Sequence, residues 1–347
     1  MMTVCTSCAR NCLESASANP DFPLAVGPDI TIILSTGKYI VQGAKLDKDN
    51  VVTLIANPER FKLSDKEVGV VVDALQHNGA IITEVKWLEK DIACDIYFAV
   101  LEALEARELL WHLLDGVELD YIVQFAGYRK KNMLISDMDS SMIEQECIDE
   151  IAGVLGLKEE IAKITERAMN GELEFEEALI ERVKRLKGVT EKQLQEVFDK
   201  KITPMPGAKD LIATMKANGA KCILVSGGFT FFTTRVLDML GFDIDESNRL
   251  IMENGVLTGE VSRPILGKQA KLDALSFYAE KFGLRTHNTL AIGDGANDLP
   301  MLLAAGLGVA YHAKPTVRSL AKAKIDTCDL TALLYAQGYK SEDFVRV

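Results

Sequence analysis

Three short apolar runs in this 347-residue chain end in polar clusters of similar chemistry. Met133-Leu134-Ile135 leads into Ser136-Asp137-Met138-Asp139-Ser140-Ser141, and Cys222-Ile223-Leu224-Val225 leads into Ser226-Gly227-Gly228. Thr289-Leu290-Ala291-Ile292 leads into Gly293-Asp294-Gly295-Ala296-Asn297-Asp298. Asp137 and Asp139, two positions apart behind an apolar run, repel one another unless a cation or a proton compensates. At roughly 4 Å, like charges cost about 4 kcal/mol at an effective dielectric near 20. Asp294 brings a third carboxylate, so a hard divalent cation is the natural compensation, and Mg2+ takes one or two carboxylates, waters and a phosphate oxygen. Any one of these aspartates alone reads as a solvated turn residue; three at coordinated strand ends read as a site. Ser226-Gly227-Gly228 has no side-chain bulk after the serine and precedes a helical pattern over residues 229–240, so its N–H groups can approach an anion. Lys271, heading the amphipathic stretch 271–282, is placed to supply positive charge, with Lys268 as its close competitor.

These residues meet only if the elements beneath them share an edge. Beyond Pro204-Met205-Pro206-Gly207 helices alternate with short apolar strands, the pattern of a parallel α/β sheet, in which strand ends converge where ligands bind. Asn254-Gly255, between two apolar runs of residues 250–261, predicts a hairpin. Residues 142–201 read as charged helices, broken at Asn170-Gly171 and at Gly188. A polar, basic interruption over residues 127–132 marks the main domain boundary. N-terminal to it, strands over 51–56, 80–87, 93–100 and 119–124 and helices over 64–78 and 105–114 make a βαββαβ order, the ferredoxin-like arrangement. That order resembles the ACT domains in topology, but the loop Asn57-Pro58-Glu59-Arg60 lacks the glycine-containing pattern usual at their ligand sites. Residues 1–126 therefore read as an N-terminal α+β domain, regulatory or dimerising, and residues 133–347 as the domain that carries the chemistry. A sheet edge or face of such a module also admits a homodimer.

With 39 basic and 51 acidic side chains the net charge is −12, which argues against a nonspecific nucleic-acid or anionic-membrane binder. No stretch approaches the roughly 20 apolar residues of a membrane span, and the first 18 residues lack the pattern of a secretory signal, so a cytoplasmic location is expected. Seven scattered cysteines fit reduced thiols better than a disulfide framework. Cys5, Cys8 and Cys12 have a metal-like spacing but no fourth Cys or His nearby.

In order and spacing, Asp137-Met138-Asp139-Ser140-Ser141, Ser226-Gly227-Gly228, Lys271 and Gly293-Asp294-Gly295-Ala296-Asn297-Asp298 resemble the four motifs of the haloacid dehalogenase (HAD) phosphatase superfamily. The match covers about residues 133–325, and with Glu146-Cys147-Ile148-Asp149-Glu150-Ile151 and Arg167-Ala168-Met169-Asn170-Gly171-Glu172-Leu173 it is similar to the phosphoserine phosphatase family. Position 141, usually Thr in the first motif, is Ser here, which keeps the hydroxyl. The resemblance implies an α/β fold: a HAD-like parallel sheet with helices on both faces, and a helical cap over about residues 145–205 inserted after the first motif. It implies Mg2+-dependent hydrolysis of O-phosphoserine, the last step of serine synthesis, with Asp137 as nucleophile and Asp139 as acid and base. By the same resemblance, Asp137, the Asp139 carbonyl and Asp294 hold the metal, with Asp298 behind them. Ser226, Gly227, Lys271 and Asn297 hold the phosphoryl group, Glu146 the substrate ammonium and Arg182 its carboxylate. Met169 and Phe175 line the lid. The competing expectations are a HAD phosphatase or phosphotransferase for another small phosphomonoester, such as phosphohomoserine or phosphothreonine, and an amino-acid-sensing regulatory protein.

Overall fold

The computed structural model describes residues 24–27, 30–35, 38–42, 50–169 and 172–347, with the backbone alone for the first three of these segments and for Ala168 and Met169. Cys5, Cys8 and Cys12 lie outside the described residues; Cys94, Cys147, Cys222 and Cys328 are buried. The chain divides into two compact units, Met1–Arg129 and Lys130–Val347.

In the first unit, β1 (Leu24–Gly27), β2 (Ile30–Ser35) and β3 (Lys38–Gln42) form an antiparallel sheet where the sequence shows no clear periodicity. There follow β4 (Asn50–Ile55), α1 (Asp65–His77), β5 (Ile81–Glu89), β6 (Ala93–Ala99), α2 (Ala103–Leu113) and β7 (Asp120–Phe125). Their sheet runs β5-β6-β4-β7 with every neighbour antiparallel, the strand order of a ferredoxin-like fold. Ser64 starts α1: its hydroxyl accepts the Lys66 N–H at 3.2 Å while Glu67 accepts the Ser64 N–H at 3.0 Å, a reciprocal cap that satisfies two otherwise unpaired donors. Val68, Val71 and Leu75 of α1 then pack with Val52, Leu54, Ile96 and Phe98 of the strands. By strand alternation Thr53 and Asp95 belong to the opposite sheet face, yet both are fully buried. Arg129, from the stretch expected as a polar boundary, reaches them. Its guanidinium holds Asp95 through two bonds of 2.6 and 2.9 Å and also donates to Tyr97 Oη at 2.8 Å and Thr53 Oγ1 at 3.1 Å. A buried carboxylate needs such a partner, which is why this arginine is not solvated.

The second unit begins with β8 (Met133–Ser136). Helices α3 (Cys147–Val154), α4 (Lys158–Met169), α5 (Phe175–Arg185) and α6 (Glu191–Lys201) follow as the expected insertion. Then come α7 (Ala208–Ala217), β9 (Lys221–Phe229), α8 (Thr230–Leu240), β10 (Ile244–Asn248), β11 (Leu250–Glu253), β12 (Val256–Val261) and α9 (Lys268–Lys281). The chain finishes through β13 (Thr289–Gly293), α10 (Leu299–Ala304), β14 (Leu307–Tyr311), α11 (Pro315–Leu320), β15 (Ala323–Ile325) and α12 (Ala332–Ala336). The main sheet is β10-β9-β8-β13-β14-β15, every pair parallel. Its central strands are buried on both faces: Met133, Ile135, Ile223, Val225 and Ala291 pack on one side with Leu275, Tyr278 and Met301, and Leu134, Leu224, Leu290 and Ile292 are fully buried on the other. That two-sided burial is why these strands are unbroken apolar runs rather than alternating ones.

Two local features depart from, or add to, the regular pattern. Ser226-Gly227-Gly228, expected beyond the end of its apolar run, lies within β9 as a bulge: Val225 pairs Glu246 and Phe229 pairs Asn248, so three residues stand opposite the single Ser247. The β11–β12 hairpin turns at Asn254 and Gly255, both left-handed, and is joined to the insertion by main chain. Gly188 N–H donates to Leu257 O at 3.0 Å, Leu257 N–H to Val189 O at 2.8 Å and Glu191 N–H to Gly255 O at 2.8 Å.

Both tryptophans, Trp87 and Trp111, belong to the first unit, so their fluorescence reports on it alone. Arg129→Ala leaves Asp95 buried without its partner, and urea unfolding followed by tryptophan emission should show that unit destabilised by about 3–5 kcal/mol. A loss below about 1 kcal/mol would mean that Asp95 finds other compensation.

Candidate active site

Strand order places the three polar clusters side by side, because β8 sits between β9 and β13 and the chain winds away from it in both directions. Asp137, the first residue beyond β8, is fixed by its backbone: its N–H donates to Ile292 O at 3.1 Å, and Ser136 Oγ donates to its carbonyl at 2.7 Å. One carboxylate oxygen accepts the Met138 N–H at 2.8 Å, and the other faces Lys271 Nζ at 2.8 Å. Lys271 stands in the first turn of α9, fully buried, and its ammonium also meets Asp298 Oδ1 at 2.5 Å. The second oxygen of Asp298 accepts the Gly295 N–H at 2.9 Å. Gly293 makes room for this, since a Cβ there would lie 2.5 Å from the Asp298 carboxyl carbon. Asp294 completes the group: oxygens of Asp137, Asp294 and Asp298 lie within 4.8 Å of one another, all three residues buried.

Three carboxylates around one ammonium leave an excess of negative charge. Burial first, and then the charge of Asp298, push the Asp137 carboxyl up to about 7 against the pull of Lys271. The same two causes raise Asp294 to about 6, partly opposed by Lys314. Burial alone would lower the Lys271 ammonium, but Asp137 and Asp298 hold it above its ordinary range. An all-oxygen donor set with surplus charge fits a hard divalent cation such as Mg2+. Asp137 and Asp298 each have both carboxylate oxygens engaged by protein donors.

Asp139 points elsewhere. Its Oδ1 is buried without a hydrogen-bond partner, and its Oδ2 lies close to Gly228 in the β9 bulge. Burial, then the charges of Glu146 and Asp137, raise this carboxyl well above the usual range. In the bulge, Ser226 is buried and its hydroxyl accepts the Gly228 N–H at 2.9 Å. Asn297 lies in the loop after β13 with its side-chain oxygen against Gly295. Glu146 precedes α3 and accepts Ser140 Oγ at 2.9 Å. Arg182, on α5, donates from Nε to Ala178 O at 3.3 Å; burial lowers its pKa while the charges of Asp149, Glu146 and Asp139 oppose that shift. Phe175 opens α5 and lies against Gly227. Met169 ends α4, and its side chain is outside the described residues.

Asp137, Lys271, Asp294 and Asp298 thus share one cluster; Asp139, Ser226 and Gly227 border it, and Glu146 and Arg182 face Asp139 electrostatically. Asn248 and Gly267 escaped the sequence reading, and the loop His312-Ala313-Lys314-Pro315 is one whose approach to the site the sequence leaves open. Lys314, just past β14, donates its N–H to Asp294 O at 3.2 Å; Asn248 joins the bulge, through Gly227 O, to Leu266 O in the loop before α9, and Gly267 follows in that loop. A signal for Lys314 and Asn248 existed: each sits at or just beyond the end of a strand on the edge where the other clusters meet.

The haloacid dehalogenase-like hydrolase family is matched over residues 134–303. A phosphoserine phosphatase from Haemophilus influenzae is 35% identical over 326 residues, 93% of this chain and 96% of that protein. One from Vibrio cholerae serotype O1 is 39% identical over 280 residues, 75% of this chain and 85% of that protein. The crystal structure of a HAD family hydrolase from Salmonella enterica subsp. enterica serovar Typhi superposes with a TM-score of 0.73 at 29% identity, covering 83% of this chain and 98% of that one.

The raised carboxyls predict an unusual pH response in chelator-treated protein. Asp137 and Asp294 titrate at about 7 and about 6 when folded, against 3.8 when exposed, so the folded state binds more protons in between and stability falls as pH rises through that window. Thermal unfolding in EDTA should give a Tm that drops between pH 5 and 7.5 more steeply than in Asp137→Asn/Asp294→Asn, and millimolar Mg2+ should remove the difference. Equal slopes in the two proteins would exclude this origin.

Proposed function

Because the chain belongs to the phosphoserine phosphatase family of the haloacid dehalogenase-like hydrolases, we propose that it hydrolyses O-phosphoserine to serine and phosphate, with Mg2+ as cofactor and an aspartyl-phosphate on Asp137 as intermediate. The observation that carries this reading is the Asp137 carboxylate held between Lys271 and the Met138 N–H, beside Asp294. Those contacts fix the nucleophile's orientation, and Lys271 favours its ionised form despite burial.

Asp137, Asp294 and the Asp139 carbonyl would hold the metal, which when bound neutralises charge on the phosphoryl oxygens. Ser226, the Gly227 N–H, Asn297 and Lys271 take the phosphoryl oxygens, a preorganised set of donors in a water-poor site. Asp139, kept protonated by burial and by Glu146, gives its proton to the leaving serine oxygen and then accepts one from the attacking water. The two charges beyond it match a zwitterion: Glu146 receives the substrate ammonium and Arg182 its carboxylate, a planar pairing that suits a guanidinium. Phe175 and Met169 shut water out of the site. The reaction would complete serine synthesis in the cytoplasm. No helix of the described residues is long and apolar enough to cross a membrane. To the βαββαβ unit we assign, on its topology, a regulatory or dimerising role.

Asp137→Asn should lower phosphate release from O-phosphoserine by at least about 10³-fold, and mass spectrometry of acid-quenched enzyme should find the phosphoryl group on Asp137 and nowhere else. EDTA should abolish turnover and Mg2+ restore it. Arg182→Ala should raise KM for O-phosphoserine by roughly 10–100-fold while sparing p-nitrophenyl phosphate, which has no carboxylate. Equal losses on both substrates would remove the carboxylate clamp.

A further inference from the structure

The ring of Phe175 lies across two backbone positions that carry no side chain. A Cβ built on Gly227 would stand 3.3 Å from ring atom Cζ and 3.8 Å from Cε2. One built on Gly267 would stand 3.3 Å from Cδ1 and 3.5 Å from Cε1. The two glycines therefore touch different edges of one ring from two separate loops. Backbone conformation does not demand glycine at 267, where φ is −114°. What an added side chain would meet there is the ring: a contact of 3.3 Å is tighter than normal packing, so a methyl would push the aromatic by a few tenths of an ångström.

The two loops are tied by one amide. Asn248, buried at the end of β10, donates from Nδ2 to Gly227 O at 2.9 Å and to Leu266 O at 3.2 Å, and its Oδ1 accepts the Leu266 N–H at 2.7 Å. Its own carbonyl accepts Thr230 Oγ1 at 3.1 Å. All three hydrogen-bonding positions of the side chain facing these loops are used, so the separation of Gly227 from Gly267 is set by a rigid planar group.

We propose that Gly227 and Gly267, spaced by Asn248, form a seat for the Phe175 ring, and that the missing side chain at 267 sets how far the helical insertion closes over the phosphoryl site. Gly267 and Asn248 are then positioning residues: they act on substrate affinity through Phe175, without touching substrate. The inference rests on the reading of Phe175 as part of the lid.

The test is a mutant cycle on the full-length enzyme with Mg2+, using O-phosphoserine hydrolysis and amide hydrogen exchange in the first turn of α5. Gly267→Ala should raise KM by about tenfold with a smaller change in kcat, and should speed exchange at that turn. In a Phe175→Leu background, where the shorter side chain leaves room, Gly267→Ala should add less than about twofold to either readout. Asn248→Asp, which keeps the shape but loses both donors, should show the same dependence on Phe175. Additive effects in the double variants, or an unchanged KM and exchange rate in Gly267→Ala, would overturn the seat. If the wild-type enzyme fails to hydrolyse O-phosphoserine, the substrate assignment falls, and the exchange cycle still decides the seat by itself.

Discussion

One ammonium organises the second unit. Lys271 bridges Asp137 and Asp298, two carboxylates from the ends of neighbouring strands that would otherwise repel one another in a buried setting. Placing it there requires α9 to begin beside β9, β8 to lie next to β13, and Gly293 to leave space for Asp298. Each requirement is met by a packing feature remote from the chemistry. A buried lysine flanked by two aspartates is costly unless all three are paired, so the fold tolerates it only where the pairing is complete or another charge enters.

The parallel sheet and its insertion were legible because two-sided burial writes continuous apolar runs into β8, β9 and β13, and polar clusters mark their ends. The hairpin at Asn254-Gly255 and the capped start of α1 at Ser64 were legible for a similar reason: both are local, set by a few adjacent residues. What escaped depends on pairing across distance. The bulge at Ser226-Gly227-Gly228 is visible only against the register of β10, and a turn and a bulge carry the same residues. Arg129 looked like part of a solvated boundary because nothing near it in sequence announces the buried Asp95. Gly267 and Asn248 looked ordinary because their significance lies in Phe175, far along the chain.

Charge and shape divide the labour around the site. The floor is electrostatic, made of carboxylates whose protonation is shifted by burial and by one another. The roof is steric: an aromatic ring over two positions with no side chain. Glu146 and Arg182 add opposite charges from the insertion, both coupled electrostatically to Asp139. On the proposed function, such a site takes a phosphoryl group at its base and an amino-acid zwitterion above it, which limits its ligands more than either half would alone.

The stitching of the insertion to the β11–β12 hairpin has a kinematic consequence. Main-chain bonds at Gly188, Val189 and Glu191 pin the segment that follows α5, whereas Phe175 stands at the helix's opposite end. An 11-residue helix is about 16 Å long, so a rotation about its hairpin end would be magnified at the Phe175 end. A swing of only about 10° there carries the far tip roughly 3 Å, enough to vacate a ring's thickness while every helix stays folded. With Phe175 as the proposed lid, opening asks for a small pivot rather than any melting of structure.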